Sequence, residues 1–373
     1  MKTTKKQKKS NLKVSLLLLL LAAVLLISST YAWFISVNTA TISTINVKVE
    51  TVEGLQISID ADGWKSTITN GDITGAGATY TGAVNQLPAT LKPVSSGASS
   101  TNVVNSKLSM FGITNVEEIT GENRGYHKMV ATAETDAHGT QGKYITFDVF
   151  LNLQSTGAKD LYLTPNSKVT WDETRATADS NTEYQKDKGL QNSARIAFMV
   201  FNNAPTADKL TAQGWTYADG TSEFVLWEPN ADQHIDNGDG SNAKQARISA
   251  VENAVPEKPM DVVHYDRTDL VGETKKVPLP YSGIKAAFDE TQNTFFYNAT
   301  NANFPTTFQS VTPNIVTNAT NTDRKKLITL KPGVTKMRIY MWLEGQDIDC
   351  FTSSSGTYLN FDLQFQVDTV TGA

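Results

Sequence analysis

The run KYITFDVFLNL, residues 143–153, alternates without a break. Tyr144, Thr146, Asp148 and Phe150 fall on one side, and Ile145, Phe147, Val149 and Leu151 on the other. A period of two is the signature of a β-strand, because successive side chains leave opposite faces of the backbone. The same period returns at Ile45, Val47 and Val49, then at Leu55, Ile57 and Ile59, with polar residues between them and Gly54 supplying a turn or bulge. It returns again in DLYLTPNSKVTW (160–171), ARIAFMVF (194–201), EFVLWEP (223–229), KKLITL (325–330), KMRIYMWLEG (336–345) and YLNFDLQFQV (358–367). Short strands separated by turn clusters predict an all-β fold, a β-sandwich or jelly-roll-like domain. Helical patterning is confined to short pieces such as GIKAAFDE, residues 283–290.

Two stretches interrupt the strands. Residues 60–106 hold DADGW, TNGDITGAGATYTGA and VSSGASST and read as loops with one hairpin on a decorated face. Residues 230–323 are polar and read as a long loop insertion or small subdomain.

The amino terminus is of another kind. MKTTKKQKKSNLK carries six lysines and no acid, and VSLLLLLLAAVLLI follows as a 14-residue apolar run. A basic segment ahead of such a run is an export signal, with the lysines left on the cytoplasmic side. Two outcomes stay open. Thr30-Tyr31-Ala32 ends in a small residue, so a signal peptidase would cut between Ala32 and Trp33. Val14 to Ile35 is also 22 residues, enough for a hydrophobic helix that stays in the cytoplasmic membrane as an anchor. The expected organisation is therefore a signal peptide or anchor at 1–32 and an extracellular β-domain at 33–373, with the insertion at about 230–323.

Composition narrows the function. The formal charge of the chain is −5, and without the six lysines of the first 32 residues the remainder carries −11. So acidic a domain argues against nucleic acid as a partner, which requires a basic face. Cys350 is the only cysteine, so no intramolecular disulfide is available and a buried small side chain is expected there. No nucleophile elbow, P-loop or dinucleotide fingerprint occurs, and His127, His138, His234 and His264 show no metal-ligand spacing, so no enzymatic activity is expected. DNGDG (236–240) and DADG (60–63) read as solvated turns. Glu344, Asp347 and Asp349, just past an apolar strand, are the one weak candidate for calcium, against the plainer reading of acids that cap backbone amides. LPATL (87–91) lacks the final glycine and the position of a wall-sorting signal.

The junction STYAWF, between a basic, leucine-rich leader and an alternating strand, resembles the export signals of TasA/camelysin-type proteins, the secreted biofilm-matrix filament proteins of Firmicutes. The resemblance rests on Thr30-Tyr31-Ala32-Trp33-Phe34 and covers about the first 60 residues. It implies export, processing by a dedicated signal peptidase, and a place at the cell surface or in a matrix. The strand-rich remainder looks like large exported Firmicutes proteins that carry the same junction, and implies no activity.

Two functions are then expected to compete. In the first, cleavage frees Trp33 onward, and Trp33, Phe34, Ile42, Ile45, Val47 and Val49 are donated as a strand to the next copy, giving self-assembled fibres. In the second, a membrane-tethered module binds glycan or another surface protein through its loops and tryptophans such as Trp64 and Trp215.

Overall fold

The computed structural model describes residues 39–50, 54–75, 80–94, 96, 103–118, 127–182, 184–185, 187, 189–204, 208–217, 223–227, 229–230, 264–267, 275–278, 283–284, 294–297, 308–309, 326–345, 350 and 356–369. The segment read above as an export signal and the junction at Ala32 lie outside them, and among the described residues no helix is long and apolar enough to cross a membrane.

The chain opens with β1 (Ala40–Val49), β2 (Leu55–Ser58), β3 (Thr67–Thr69), the short helix α1 (Asn70–Gly75), β4 (Asn85–Gln86) and β5 (Thr90–Leu91). A small hairpin, β6 (Val103–Val104) and β7 (Lys107–Leu108), precedes a longer one, β8 (Met110–Glu118) and β9 (His127–Glu134). Next come β10 (His138–Gly139), β11 (Ile145–Leu153), β12 (Lys159–Leu163), β13 (Lys168–Trp171), α2 (Glu173–Thr177), β14 (Ala194–Ala204), α3 (Lys209–Gly214) and β15 (Glu223–Trp227). The insertion contributes β16 (His264–Arg267), β17 (Lys275–Pro278), β18 (Gly283–Ile284), β19 (Thr294–Tyr297) and β20 (Phe308–Gln309), and β19 pairs with β9. Gly283 and Ile284, where a short helix was expected to begin, are in a strand. The chain closes with β21 (Ile328–Leu330), β22 (Gly333–Leu343) and β23 (Thr357–Thr369).

Two seven-stranded sheets carry the fold, as the all-β expectation requires. The first runs β21-β12-β23-β1-β3, with β13 also on β23 and β5 also on β1. The second runs β10-β4-β11-β22-β14-β15, with β2 also on β11. Their facing sides share one core, to which β1, β11, β14, β22 and β23 all contribute apolar residues. Phe198 of β14 meets Phe365 of β23 edge to face across the two sheets, ring centres 5.9 Å apart. Cys350 is buried in this same core.

Gly54 marks where the chain leaves one sheet for the other. It adopts φ +75°, and a Cβ there would lie 3.2 Å from Cβ of Gln154. The alternating runs on either side of it, β1 and β2, therefore belong to different layers rather than to one hairpin.

The second sheet is covered on its other face too. Val94, Leu108, Met110, Tyr144, Ala197, Met199, Phe201, Leu226, Tyr340 and Trp342 form a second apolar cluster there. This corrects the reading of residues 60–106 as surface decoration. Ala83, Val84, Asn85, Gln86, Leu87, Leu91 and Val94 are buried, because β4 and β5 are strands of the two sheets, Leu87 and Leu91 reach the core between them, and Val94 packs on the outer face of the second sheet.

Candidate functional site

The four described residues expected to be donated all lie on one strand and one face. Ile42, Ile45, Val47 and Val49 are buried between the sheets, and β1 runs parallel to β23 from Ala40 beside Thr357 to Val49 beside Phe365. Trp33 and Phe34 lie outside the described residues, as does the Ala32 junction. The opposite edge of β1 pairs with three residues of β3 and two of β5, and the N–H groups of Ile42, Ile45 and Val49 donate to the Ala89 carbonyl, the Asn70 side chain and the Ser66 carbonyl. Polar pairs on the outer face fix the alignment. The Asn46 amide donates to Asp362 at 2.9 Å, and the Thr44 hydroxyl donates to Asn360 at 2.8 Å. In this single chain, β1 thus pairs with its own β23.

Glu344 is fully buried, and its carboxylate accepts from the Trp342 indole at 3.1 Å while its backbone N–H donates to Ser193. Asp347 and Asp349, the other two acids of the calcium candidate, lie outside the described residues. Among the described residues no group of three or more His, Cys, Asp or Glu side chains is arranged to hold a metal ion. The DADG turn is held by its own acids. Asp60 accepts from the Asp62 N–H, Asp62 accepts from the Gly63 N–H, and Lys209 reaches Asp62 at 2.9 Å. The Lys209 hydrogen bond, then that of Gly63, holds the Asp62 carboxyl below its usual range. Trp64 and Trp215 are half-buried against Ala61, Phe150, Ala212 and Val334, which is packing. DNGDG and His234 lie outside the described residues, and His138 shares a 3.0 Å hydrogen bond with Asn85.

The concentrated chemistry lies on the outer face of the second sheet, which the sequence reading did not single out. Register places Asp148 of β11 beside Arg338 of β22, with Phe150 beside Lys336 and Thr146 beside Tyr340. Arg338 grips Asp148 with two bonds, Nε to Oδ1 at 2.6 Å and Nη2 to Oδ2 at 3.1 Å. The Tyr80 hydroxyl donates to Oδ2 at 2.6 Å, and the Val84 N–H reaches the same oxygen at 3.4 Å. Lys336 Nζ stands 3.9 Å from Oδ2 and donates to the carbonyls of Gln213 at 2.7 Å and Trp215 at 3.2 Å. The rings of Tyr80, Phe150 and Phe201 lie 5.1–5.8 Å from that ammonium. The side chains of Lys336 and Asp148 are only 3% and 1% exposed, so water does not screen the cluster.

Burial governs the protonation here. It pushes the Tyr80 hydroxyl far above its ordinary value, and the adjacent Asp148 charge adds to that. It lowers the Lys336 pKa, with Asp148 opposing and Arg338 assisting. For Arg338 burial also disfavours the cation, but the charge and hydrogen bond of Asp148 outweigh it and keep the guanidinium protonated. A second carboxylate, Asp136, accepts from Tyr144 at 2.6 Å and from Tyr340 at 3.0 Å. Burial, then Asp136, raises both tyrosines above the ordinary phenol value.

A signal for this face was present. Tyr144, just before β11, is followed by Thr146, Asp148 and Phe150 on it, and Lys336, Arg338, Tyr340 and Trp342 alternate on β22, so aromatics and charges share one side. Rows that mix large rings with charges are suited to a covered polar face, since the rings need burial and the charges need partners.

Compared with protein-family models, curated proteins and solved structures, the chain matches none.

Proposed function

We propose that this chain is an exported structural protein of the cell surface or extracellular matrix, a fibre subunit that assembles by donating the segment containing β1 to the next copy. One observation carries the reading. The first strand lies parallel to the last, its inner face filled by Ala40, Ile42, Ile45, Val47 and Val49, while its other edge carries two short strand pairings, with β3 and with β5. A strand from a neighbouring copy could fill the same groove with the same ladder and side-chain pockets, which is β-augmentation. Repeated head to tail, such exchange does not close and yields a filament. Within this proposal the domain is a jelly-roll-like sandwich, and the apolar segment of residues 14–35 serves export. Cleavage by a signal peptidase at Ala32–Trp33 would free the donated end, whereas retention would leave a tethered monomer.

The Asn46–Asp362 pair provides the test, because those positions face each other across β1 and β23. The full chain carrying Asn46→Cys and Asp362→Cys would be oxidised at the cell surface and run without reductant. Donation predicts a ladder of covalent oligomers whose N-terminus is Trp33. Cross-linked monomers alone would overturn the proposal.

A further inference from the structure

The buried cluster on β11 and β22 holds one cation more than its ion pair requires. Arg338 already satisfies both oxygens of Asp148, and yet Lys336 is sealed into the same pocket. Two of its three protons are taken by main-chain carbonyls, and three aromatic rings enclose it. We infer that Lys336 Nζ and Asp148 Cγ condense into an intramolecular amide bond that joins β11 to β22.

Each requirement of that reaction has a residue in place. The nucleophile stands 3.9 Å from the carboxylate in a water-poor pocket, and the flexible lysine stem can cover the remaining approach. Burial favours its neutral, nucleophilic form. Negative charge would develop on Oδ1 as the tetrahedral centre forms, and Arg338 Nε already points at that oxygen from 2.6 Å. Oδ2 is the oxygen to be lost, and the Tyr80 hydroxyl already donates to it at 2.6 Å. Tyr80 would pass a proton to Oδ2 and recover one from Nζ, a relay of general acid and base.

The step balances without any further reactant. The Nζ–Cγ bond forms and the Cγ–Oδ2 bond breaks. The ammonium surrenders two protons, both end on Oδ2, and that oxygen leaves as water. An ammonium and a carboxylate become a neutral amide, so the net charge of the pocket is unchanged and Arg338 remains its cation. The pocket's exclusion of water favours the amide over its hydrolysis. The link would close a long loop between distant parts of the chain, the constraint that a disulfide supplies in other proteins and that a lone cysteine cannot.

The inference does not depend on strand donation or on where the protein resides, so the two can fail separately. Its test is peptide mapping of the purified, folded full-length chain by tandem mass spectrometry. The expected result is one branched peptide joining the Lys336 and Asp148 segments, lighter than their sum by one water. Recovery of the two peptides unlinked, after prolonged incubation of folded protein, would overturn it. Lys336→Arg and Asp148→Ala should abolish the branched peptide, while Asp148→Asn should yield the same peptide by losing ammonia instead. Tyr80→Phe should slow its appearance in refolded protein by about 10²-fold or more, and an unchanged rate would remove Tyr80 from the relay.

Discussion

Tyr144 and Tyr340 reach the same carboxylate, but they are not equivalent. The Tyr340 hydroxyl donates to Asp136 and also accepts from the Leu108 N–H at 3.2 Å, whereas the Tyr144 hydroxyl donates to Asp136 at 2.6 Å. Replacing Tyr340 by Phe strips Asp136 of a donor and leaves a buried N–H without its acceptor. Replacing Tyr144 by Phe removes a donor from a carboxylate that Tyr340 still serves. An unsatisfied buried group costs about 1–3 kcal/mol, so Tyr340→Phe is expected to lower stability by roughly that amount and Tyr144→Phe by about 1 kcal/mol or less. Urea titrations with unchanged slope would check the order, and equal losses would contradict the role given to Leu108. None of these partners could be read from the sequence, although the residues themselves were in view. Asp148 and Arg338 stand 190 positions apart, and only the antiparallel register of β11 with β22 makes them neighbours. Alternation says which side of a strand a residue takes; it does not say whether another layer covers that side. Tyr80, Val94, Leu108 and Met110 help to cover it here, and the Gly, Ser and Thr content of the sequence around them gave the appearance of an exposed loop.

β1 shows how much a single element can carry in its spacing. Ile45, Val47 and Val49 keep a period of two, as do Ala40 and Ile42, but three positions separate Ile42 from Ile45. A regular strand would send one of these sets to the outer face. A bulge at Ser43 absorbs the extra residue, so that Ile42 lies beside Leu359 while Thr44 lies beside Asn360, and both sets point inward. The buried Ser43 hydroxyl has no hydrogen-bond partner. Deleting Ser43 should therefore leave a continuous strand in the same register, with stability changed by about 1 kcal/mol or less. Deleting Asn46, from the regular part, should instead turn either Ala40, Ile42 and Ile45 or Val47 and Val49 out of the core. At about 1.5–3 kcal/mol for each large apolar side chain exposed, the second deletion should unfold or nearly unfold the domain. Thermal melting of the two variants distinguishes them, and equal damage would argue against the bulge as the register device. The longer strands were legible for the same reason. β11, β14, β22 and β23 announce themselves by alternation, while β4, β5 and β10 are two residues each and leave no period to detect.

For the whole molecule, the two inward faces of the second sheet have opposite chemical characters, and that difference sets how stability responds to pH. The face toward the first sheet is apolar and indifferent to protons. The other face carries Tyr80, Tyr144 and Tyr340, all held protonated above the ordinary value of 10.0 by burial first and by Asp148 or Asp136 next. Because their pKa values are raised on folding, they contribute stability that is complete below pH 10.0. Above it the unfolded chain releases these protons while the folded chain keeps them, so stability falls with rising pH. Each tyrosine contributes a slope of about 1.4 kcal/mol per pH unit in that range. As a free amine, before any amide with Asp148 forms, Lys336 acts in the opposite sense. Its lowered pKa makes folding more favourable as pH rises toward its ordinary value of 10.5, and beyond that it contributes no slope. Three tyrosines against one lysine leave the balance with the tyrosines. A domain with about 5–15 kcal/mol to lose should therefore unfold cooperatively within a few pH units above 10. Of the chain's twelve tyrosines, these three should give a separate, late step of tyrosinate absorbance that coincides with the loss of β-sheet circular dichroism. The buried phenols can ionise only when the sheet opens, so ionisation of all twelve tyrosines while the sheet stays intact would show that this face admits water.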